Sequence, residues 1–378
     1  EYHGDRGLMS LEVGKKALDY LVENSGSRVN LEVDFFGGEP LLNWEVVKQL
    51  VAYGREIEKV KNKKFRFTLT TNGTLLNDEI MEFVNKEMSN LVLSLDGRKE
   101  VNDRMRPHKG GQGSYDKIVP KYIAAAESRN QTNYYVRGTY THFNTDFAKD
   151  VLHMADLGFK QISVEPVVAP PEAEYALTME DIPTLLAQYD ELAAEMQKRE
   201  EEGNGFNFFH FMIDLEGGPC VAKRLSGCGS GCEYLAVTPW GDFYPCHQFV
   251  GETEFLMGNV DEGITNKEIQ EMFHASNVYS KEACKNCFAN EYCSVGIHTQ
   301  NRRCEILSKA VGDYFCFLAV IPGNKTGISI LVLMFTFVNE PLPPNAFAKI
   351  DIVPAVPAFA LPFLISMFTS VKVTLYAA

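Results

Sequence analysis

The chain opens without an export signal. Glu1-Tyr-His-Gly-Asp-Arg6 contains no apolar core of the kind a signal peptide needs. It also opens without Met, so the natural start is expected to lie upstream. A basic excess is missing too. The net charge is −14, which argues against nucleic acid as the main partner, because phosphate binding wants a basic face. Apolar runs such as 328–338 and 358–368 are separated by prolines. They fall short of the roughly 20 residues that a spanning helix needs, so no membrane is expected and the location is expected to be cytoplasmic. Also absent is a second C-x2-C, the usual partner of a first one in a zinc ribbon.

What is present is a chain of 378 residues, long enough for two domains with real cores. Its 45% hydrophobic and 23% charged content is ordinary for a globular protein. Nine cysteines occur, seven of them between Cys220 and Cys293. With no export signal, metal ligation is a better reading of them than disulfides. The tightest group is Cys284, Cys287 and Cys293, a C-x2-C-x5-C run, and upstream stand Cys228, Gly241 and Cys246. Thiolates gathered in this way hold zinc or iron–sulfur clusters, and the spacing favours iron–sulfur. His247, next to Cys246, is a further possible ligand or simply a polar neighbour.

The first two hundred residues alternate between the two hydrophobic periods. Helices are expected at 10–24, 44–60, 75–86, 114–129, 145–157 and 179–202. Strands are expected at 29–36, 65–71, 91–95, 134–141 and 161–164. Sustained β/α alternation means parallel strands with crossover helices. Glycines and polar residues fall just after the strands: Gly37-Gly38-Glu39-Pro40, Thr71-Asn72-Gly73, Asp96-Gly97 and Glu165-Pro166. Ligands bind at the carboxyl ends of such strands, so these loops are expected to face one site.

Each motif also has a bland reading. Gly37 to Pro40 is either a cradle with a carboxylate for an ammonium group or a tight turn before a helix. Thr71 to Gly73 by itself is more often a turn. Ser94 and Asp96 share one strand face. Arg137 sits mid-strand, either solvated or aimed at an anion. Arg104 and Arg106 read as a solvated loop, with acid binding as the alternative. Trp240-Gly241-Asp242 reads as a hairpin turn between 234–238 and 243–244.

Taken in order, the 37–40, 71–73 and 94–97 segments, Gly113-Ser114-Tyr115, Arg137-Gly138-Thr139 and the cysteine pattern resemble radical S-adenosylmethionine enzymes carrying a SPASM domain. Gly218-Pro219-Cys220 and Tyr244-Pro245-Cys246-His247 look most like the maturases that form thioether cross-links in SCIFF peptides. The resemblance covers about residues 1–296. It implies a partial (β/α)6 TIM-like barrel at 1–205, lacking its first strand, then an auxiliary-cluster domain at 206–304. It implies S-adenosylmethionine and 4Fe–4S clusters as cofactors, and a deoxyadenosyl radical that abstracts hydrogen from a peptide residue. The partners it implies are a small Cys-rich precursor peptide and an electron donor such as a flavodoxin or ferredoxin. By the match, Gly37, Gly38 and Glu39 receive the methionine amino group, and Ser94 and Arg137 hold ribose or carboxylate. Cys284, Cys287 and Cys293 ligate one auxiliary cluster; Cys228 and Cys246, with Cys220, ligate the other.

Two departures stand out. The family's C-x3-C-x2-C radical-cluster motif precedes the point where this chain begins, so residues 1–378 by themselves are expected not to cleave the cofactor. Ile297 stands where the family places a fourth cysteine, leaving Cys304 and Cys316 as late candidates. Residues 321–378 then hold only Glu340, Asp351, Lys325, Lys349 and Lys372 as charges. The 305–378 tail reads as membrane-associated, as a buried apolar extension, or as a segment foreign to the fold, for instance from a shifted frame; the composition break favours the last. A formylglycine-generating sulfatase maturase is the near alternative in function. A non-catalytic, zinc-stabilised peptide-binding module is the alternative from another class.

Overall fold

The computed structural model describes residues 7–212, 225, 228–277 and 279–280, together with the backbone of 318–322, 328–332 and 371–376. Its first half holds six strands connected by helices, with one further helix ahead of the first strand. Helix α1 (Leu11–Asn24) starts where the Ser10 hydroxyl accepts from the Val13 amide, the N-cap that the sequence suggests. Strand β1 (Asn30–Phe36) follows, then α2 (Trp44–Val60), β2 (Lys64–Thr71), α3 (Asp78–Glu87) and β3 (Asn90–Ser94). After β3 come α4 (Lys99–Met105) and α5 (Tyr115–Ser128), then β4 (Tyr134–Tyr140), α6 (Phe147–Asp156), β5 (Gln161–Pro166), α7 (Ile182–Glu201) and β6 (Asn207–Phe208). Of these elements, α4 and β6 have no counterpart in the sequence reading, which places no helix at 99–105 and no strand at 207–208.

Strands β1 to β6 pair in sequence order, all parallel. Burial alternates along them. Leu31, Val33 and Phe35 of β1 and Phe65, Phe67 and Leu69 of β2 are fully covered. They meet Leu18 and Leu21 of α1 and Val47, Leu50 and Val51 of α2 in one continuous core. The residues between them, Glu32, Asp34, Arg66, Thr68 and Thr70, stay partly exposed on the other face. A period of two thus gives the sheet an apolar side under the helices and a polar concave side. The parallel order is the one expected from the alternation, and the architecture is the partial (β/α)6 TIM-like barrel that the resemblance implies.

Beyond the barrel, β7 (Tyr234–Val237) and β8 (Asp242–Tyr244) form the anticipated antiparallel hairpin. Strands β9 (Gly258–Asn259) and β10 (Gly263–Ile264) extend it, and α8 (Lys267–Ala275) follows. Two tail segments, β11 (Leu318–Pro322) and β12 (Ile328–Val332), pair antiparallel with each other. The sequence places no strand ahead of α1. In the structure β13 (Val371–Tyr376) lies on the far edge of β1, parallel, from Leu31 opposite Val371 to Phe36 opposite Tyr376. Its other edge pairs with β7. The tail, read as foreign, therefore supplies the strand at this position. The physical reason is the open edge: β1 and β7 each offer a row of backbone donors and acceptors, and Val371-Lys-Val-Thr-Leu-Tyr376 is rich in residues of high strand propensity. No described helix is long and apolar enough to cross a membrane.

Candidate active site on the concave face

The carboxyl rim of the barrel is stitched together by side chains from successive loops. Gly37 leaves β1 with φ of 127°, a conformation that L side chains rarely adopt. Glu39 then turns inward and is almost fully buried. Its Oε1 accepts from the Leu41 amide at 3.1 Å and from Thr71 Oγ1 at 2.8 Å; its Oε2 accepts from the Asn72 amide at 2.7 Å. The reading as a tight turn before a helix therefore holds. Glu39 caps the turn that Pro40 begins, and it ties the β1 loop to the β2 loop. Burial raises its pKa, and the three donors pull the other way. Of the acceptor positions on a carboxylate, one on Oε2 is left unfilled by these bonds.

We expect Glu39→Gln to cost about 1–3 kcal/mol, because an amide nitrogen must then face the Asn72 or Leu41 donor. Urea unfolding of the variant checks this. An unchanged midpoint would show that the clasp contributes nothing.

Thr71-Asn72-Gly73 is a turn, as its composition suggests. Asn72 Oδ1 accepts from the Thr74 amide at 3.0 Å and from Thr74 Oγ1 at 2.7 Å. Gly73 has φ of 71°, and a Cβ on it would stand 2.2 Å from the Tyr122 ring. Tyr122, wholly buried, sends its hydroxyl to the Ser94 carbonyl at 3.1 Å and towards Thr71 O at 3.4 Å. It holds the ends of β2 and β3 at one height. Nothing in the sequence singles out Tyr122, which reads as one more apolar position of a helix.

The Asp96 and Arg106 readings need correction. Asp96 is buried and takes both Nε (2.7 Å) and Nη2 (3.0 Å) of Arg106, plus the Thr139 amide at 3.0 Å. Arg106 is thus no solvated loop residue and is not offered to a substrate acid; it braces the β3 loop against β4. A turn of helix α4 between them closes the pair, and that contact is not visible as a spacing rule. Arg104 stacks over Phe143, with its guanidinium carbon 3.5 Å from the ring centroid.

Ser94 and Arg137 do come together. They are register partners on β3 and β4, and Ser163 of β5 is the next member of the row. Arg137 is exposed, although its strand neighbours Val136 and Gly138 are buried. Among the described residues it makes no ion pair within 4.0 Å. A solvated outer face would explain that, but alternation places Arg137 on the concave side with Tyr135 and Thr139.

Beside it lies a chain of polar groups of which the sequence reading named only Glu165 as a site candidate. Glu165 Oε1 accepts from Ser163 Oγ at 2.7 Å, and Oε2 pairs with His210 Nε2 at 2.7 Å. An ionised carboxylate only accepts, so Nε2 carries the proton. His210 Nδ1 meets Tyr189 Oη at 2.9 Å, and Tyr189 Oη meets Tyr140 Oη at 3.2 Å. Burial would raise the Glu165 pKa, but the His210 contact, the Ser163 bond and the charge of Arg137 outweigh it and bring it down to about 2. The available signal was His210 itself, a single polar ring inside the aromatic run Phe206 to Phe211.

Of the cysteines, Cys220, Cys284, Cys287, Cys293, Cys304 and Cys316 lie outside the described residues, as does Ile297. Cys246 is buried at the end of the hairpin and Cys228 is exposed. Cys232, between them in sequence, has its thiol pushed up to about 11 by burial, with Glu233 and Cys228 adding to the effect, and its sulfur lies 3.7 Å from the Gln270 carbonyl. His247 packs on the Phe36 ring at 5.1 Å and meets Tyr234 Oη at 3.2 Å. Among the described residues no three His, Cys, Asp or Glu side chains converge on a metal-sized point. The described thiols alone therefore do not make up a cluster site.

Comparison with known proteins adds to this geometry. The model of the radical SAM superfamily matches residues 1–165. The chain is 25% identical over 307 residues to a cysteine-type anaerobic sulfatase-maturating enzyme of Clostridium novyi, covering 77% of this chain and 78% of that one. It is 23% identical over 330 residues to a serine-type anaerobic sulfatase-maturating enzyme of Bacteroides thetaiotaomicron, covering 81% and 74%. The solved structure of native anSMEcpe with bound AdoMet and Cp18Cys peptide superposes with a TM-score of 0.64 at 22% identity, covering 79% of this chain and 83% of that one. The likeness in structure establishes the partial barrel.

Proposed function

We propose that this chain, whose residues 1–165 match the model of the radical SAM superfamily, is a radical S-adenosylmethionine peptide maturase that joins a cysteine sulfur to a carbon of a small Cys-rich precursor peptide. The observation that carries the reading is the exposed Arg137 in register with Ser94 on the concave face of the sheet whose β1 leads into the Gly37–Glu39 loop. A zwitterionic amino acid needs one acidic and one basic partner. The loop after β1 offers the remaining acceptor position on Glu39 Oε2 and the Gly37 and Gly38 backbone for an ammonium group, and Arg137 offers a guanidinium for a carboxylate or ribose. These residues fit S-adenosylmethionine. When bound to a 4Fe–4S cluster that cofactor supplies the reductive cleavage from which hydrogen abstraction starts.

The roles of this chain's own residues are binding and exclusion. Glu39, Tyr122 and Asp96 fix the rim, Ser94 and Arg137 orient the ligand, and the apolar layer beneath keeps the face rigid. Cys220, Cys228, Cys246, Cys284, Cys287 and Cys293 are the proposed auxiliary-cluster ligands of a SPASM domain. A cytoplasmic location and a flavodoxin or ferredoxin as electron donor complete the proposal.

A second reading is favoured by the sulfatase-maturating relatives: oxidation of a peptide cysteine or serine to formylglycine. The two differ in atoms. A thioether forms with loss of two hydrogens and retention of sulfur; formylglycine from cysteine loses the sulfur. The test is anaerobic reconstitution of a form carrying a C-x3-C-x2-C segment ahead of Glu1, with residues 1–378 as the comparison. Given S-adenosylmethionine and a cysteine-containing peptide, the longer form is expected to release 5′-deoxyadenosine and the shorter one none. Mass spectrometry of the peptide assigns the product. A colourless, zinc-containing protein that forms no 5′-deoxyadenosine would sink both readings in favour of a binding module.

A further inference from the structure

We infer that His210 is a positioning residue that keeps Glu165 away from Arg137 and so leaves the guanidinium available to an anionic or hydroxyl-bearing part of the ligand. The inference rests on the reading that Arg137 holds S-adenosylmethionine. Three observations on the concave face lead to it.

The first is a placement. Arg137 and Thr139 lie on β4, and Thr139 is the register partner of Glu165 on β5. Arg137 and Glu165 are therefore diagonal neighbours on one face, a relation that long side chains span. The charge of Arg137 is felt at Glu165.

The second is that the expected ion pair does not form. Glu165 and Arg137 are not within 4.0 Å, although both are long and flexible and of opposite charge. Glu165 is instead held on both oxygens, by Ser163 from its own strand and by His210 from beyond β6.

The third is that His210 is itself immobilised. Tyr189 of α7 fixes its Nδ1, and Tyr140 fixes Tyr189; both tyrosines are buried. The rings of His210 and Tyr189 stack at 6.1 Å, and Phe208 contacts His210 at 5.1 Å. Both nitrogens of His210 are occupied, so it does not present a free base to the concave face. A relay that ends on a pair of buried tyrosines also leads no proton to solvent. What the arrangement does is fix the direction of one carboxylate.

Without His210, one oxygen of Glu165 loses its donor. The diagonal guanidinium is then the available replacement, and a charge-assisted Arg–carboxylate pair is a strong one. The bound ligand must then compete with that internal partner.

Equilibrium binding of S-adenosylmethionine to the reconstituted holoenzyme, measured without turnover, tests this. His210→Phe is expected to weaken binding about tenfold. Adding Glu165→Gln to His210→Phe is expected to restore most of the loss, because the competitor for Arg137 is gone. Simple damage from the histidine substitution would not be repaired by a second substitution, so failure of the rescue overturns the inference. Arg137→Ala separates the two levels. If it leaves binding unchanged, the assignment of Arg137 to the cofactor fails and the inference falls with it. If Arg137→Ala weakens binding but His210→Phe does not, the site reading stands and only the positioning role is overturned.

Discussion

Arg106→Met is expected to destabilise the protein by about 3–5 kcal/mol, since it strands a buried carboxylate. Asp96 has a side chain only 3% exposed and receives two bonds from Arg106 at 2.7 and 3.0 Å. After the substitution its remaining side-chain partner is the Thr139 amide. That single neutral donor does not compensate a desolvated charge. The effect reaches the site as well, because Asp96 ties the loop after β3 to β4 two residues from Arg137. Chemical denaturation reads the stability change directly. Replacing both partners, Arg106→Met with Asp96→Leu, is expected to recover much of the loss, because the cost lies in the orphaned charge. A single-variant loss below about 1 kcal/mol would mean that water replaces the guanidinium and that the brace is weak.

The second large effect is a pH dependence centred on Glu165. Its carboxyl sits at about 2 in the folded protein against an ordinary 4.5. A group whose folded pKa is depressed contributes stability that is present above its unfolded pKa and is lost as pH falls through the folded one. Here the window runs from about pH 4.5 down to about pH 2. The difference corresponds to about 3 kcal/mol at neutral pH. Urea titrations of the wild type and Glu165→Gln at a series of pH values test it. The stability gap between them is expected to be full at neutral pH and to close across that window. A gap that stays constant with pH would show that the charge of Glu165 is not what stabilises the fold.

These two carboxylates mark the boundary of what could be read in advance. Asp96 was visible as an acid after a strand, but its partner was not. Arg106 is ten residues away across a helix that has no strong periodic signal. Glu165 was visible as a polar residue at a strand end, while His210 and Tyr189 are brought to it from α7 and the segment after β6. Contacts of this kind depend on how helices pack on a sheet, which no spacing rule encodes.

By itself, the amino-acid order determined the parallel β/α alternation, the polar and glycine-bearing loops after the strands, the turn chemistry at 71–74 and the hairpin around Gly241. Each of these follows from local periods and glycine positions, which act over a few residues. It also set the net charge of −14. Tertiary structure alone decided which charged groups are free to meet a ligand. Asp96 and Glu165 both follow or end strands and are committed to partners from other elements, Glu39 is left with one acceptor position on Oε2, and Arg137 stays exposed. The tail strand against β1 was likewise decided in three dimensions, where an open sheet edge met a segment of high strand propensity. Availability of a charge is a property of its surroundings, and those are assembled from residues far apart in the chain.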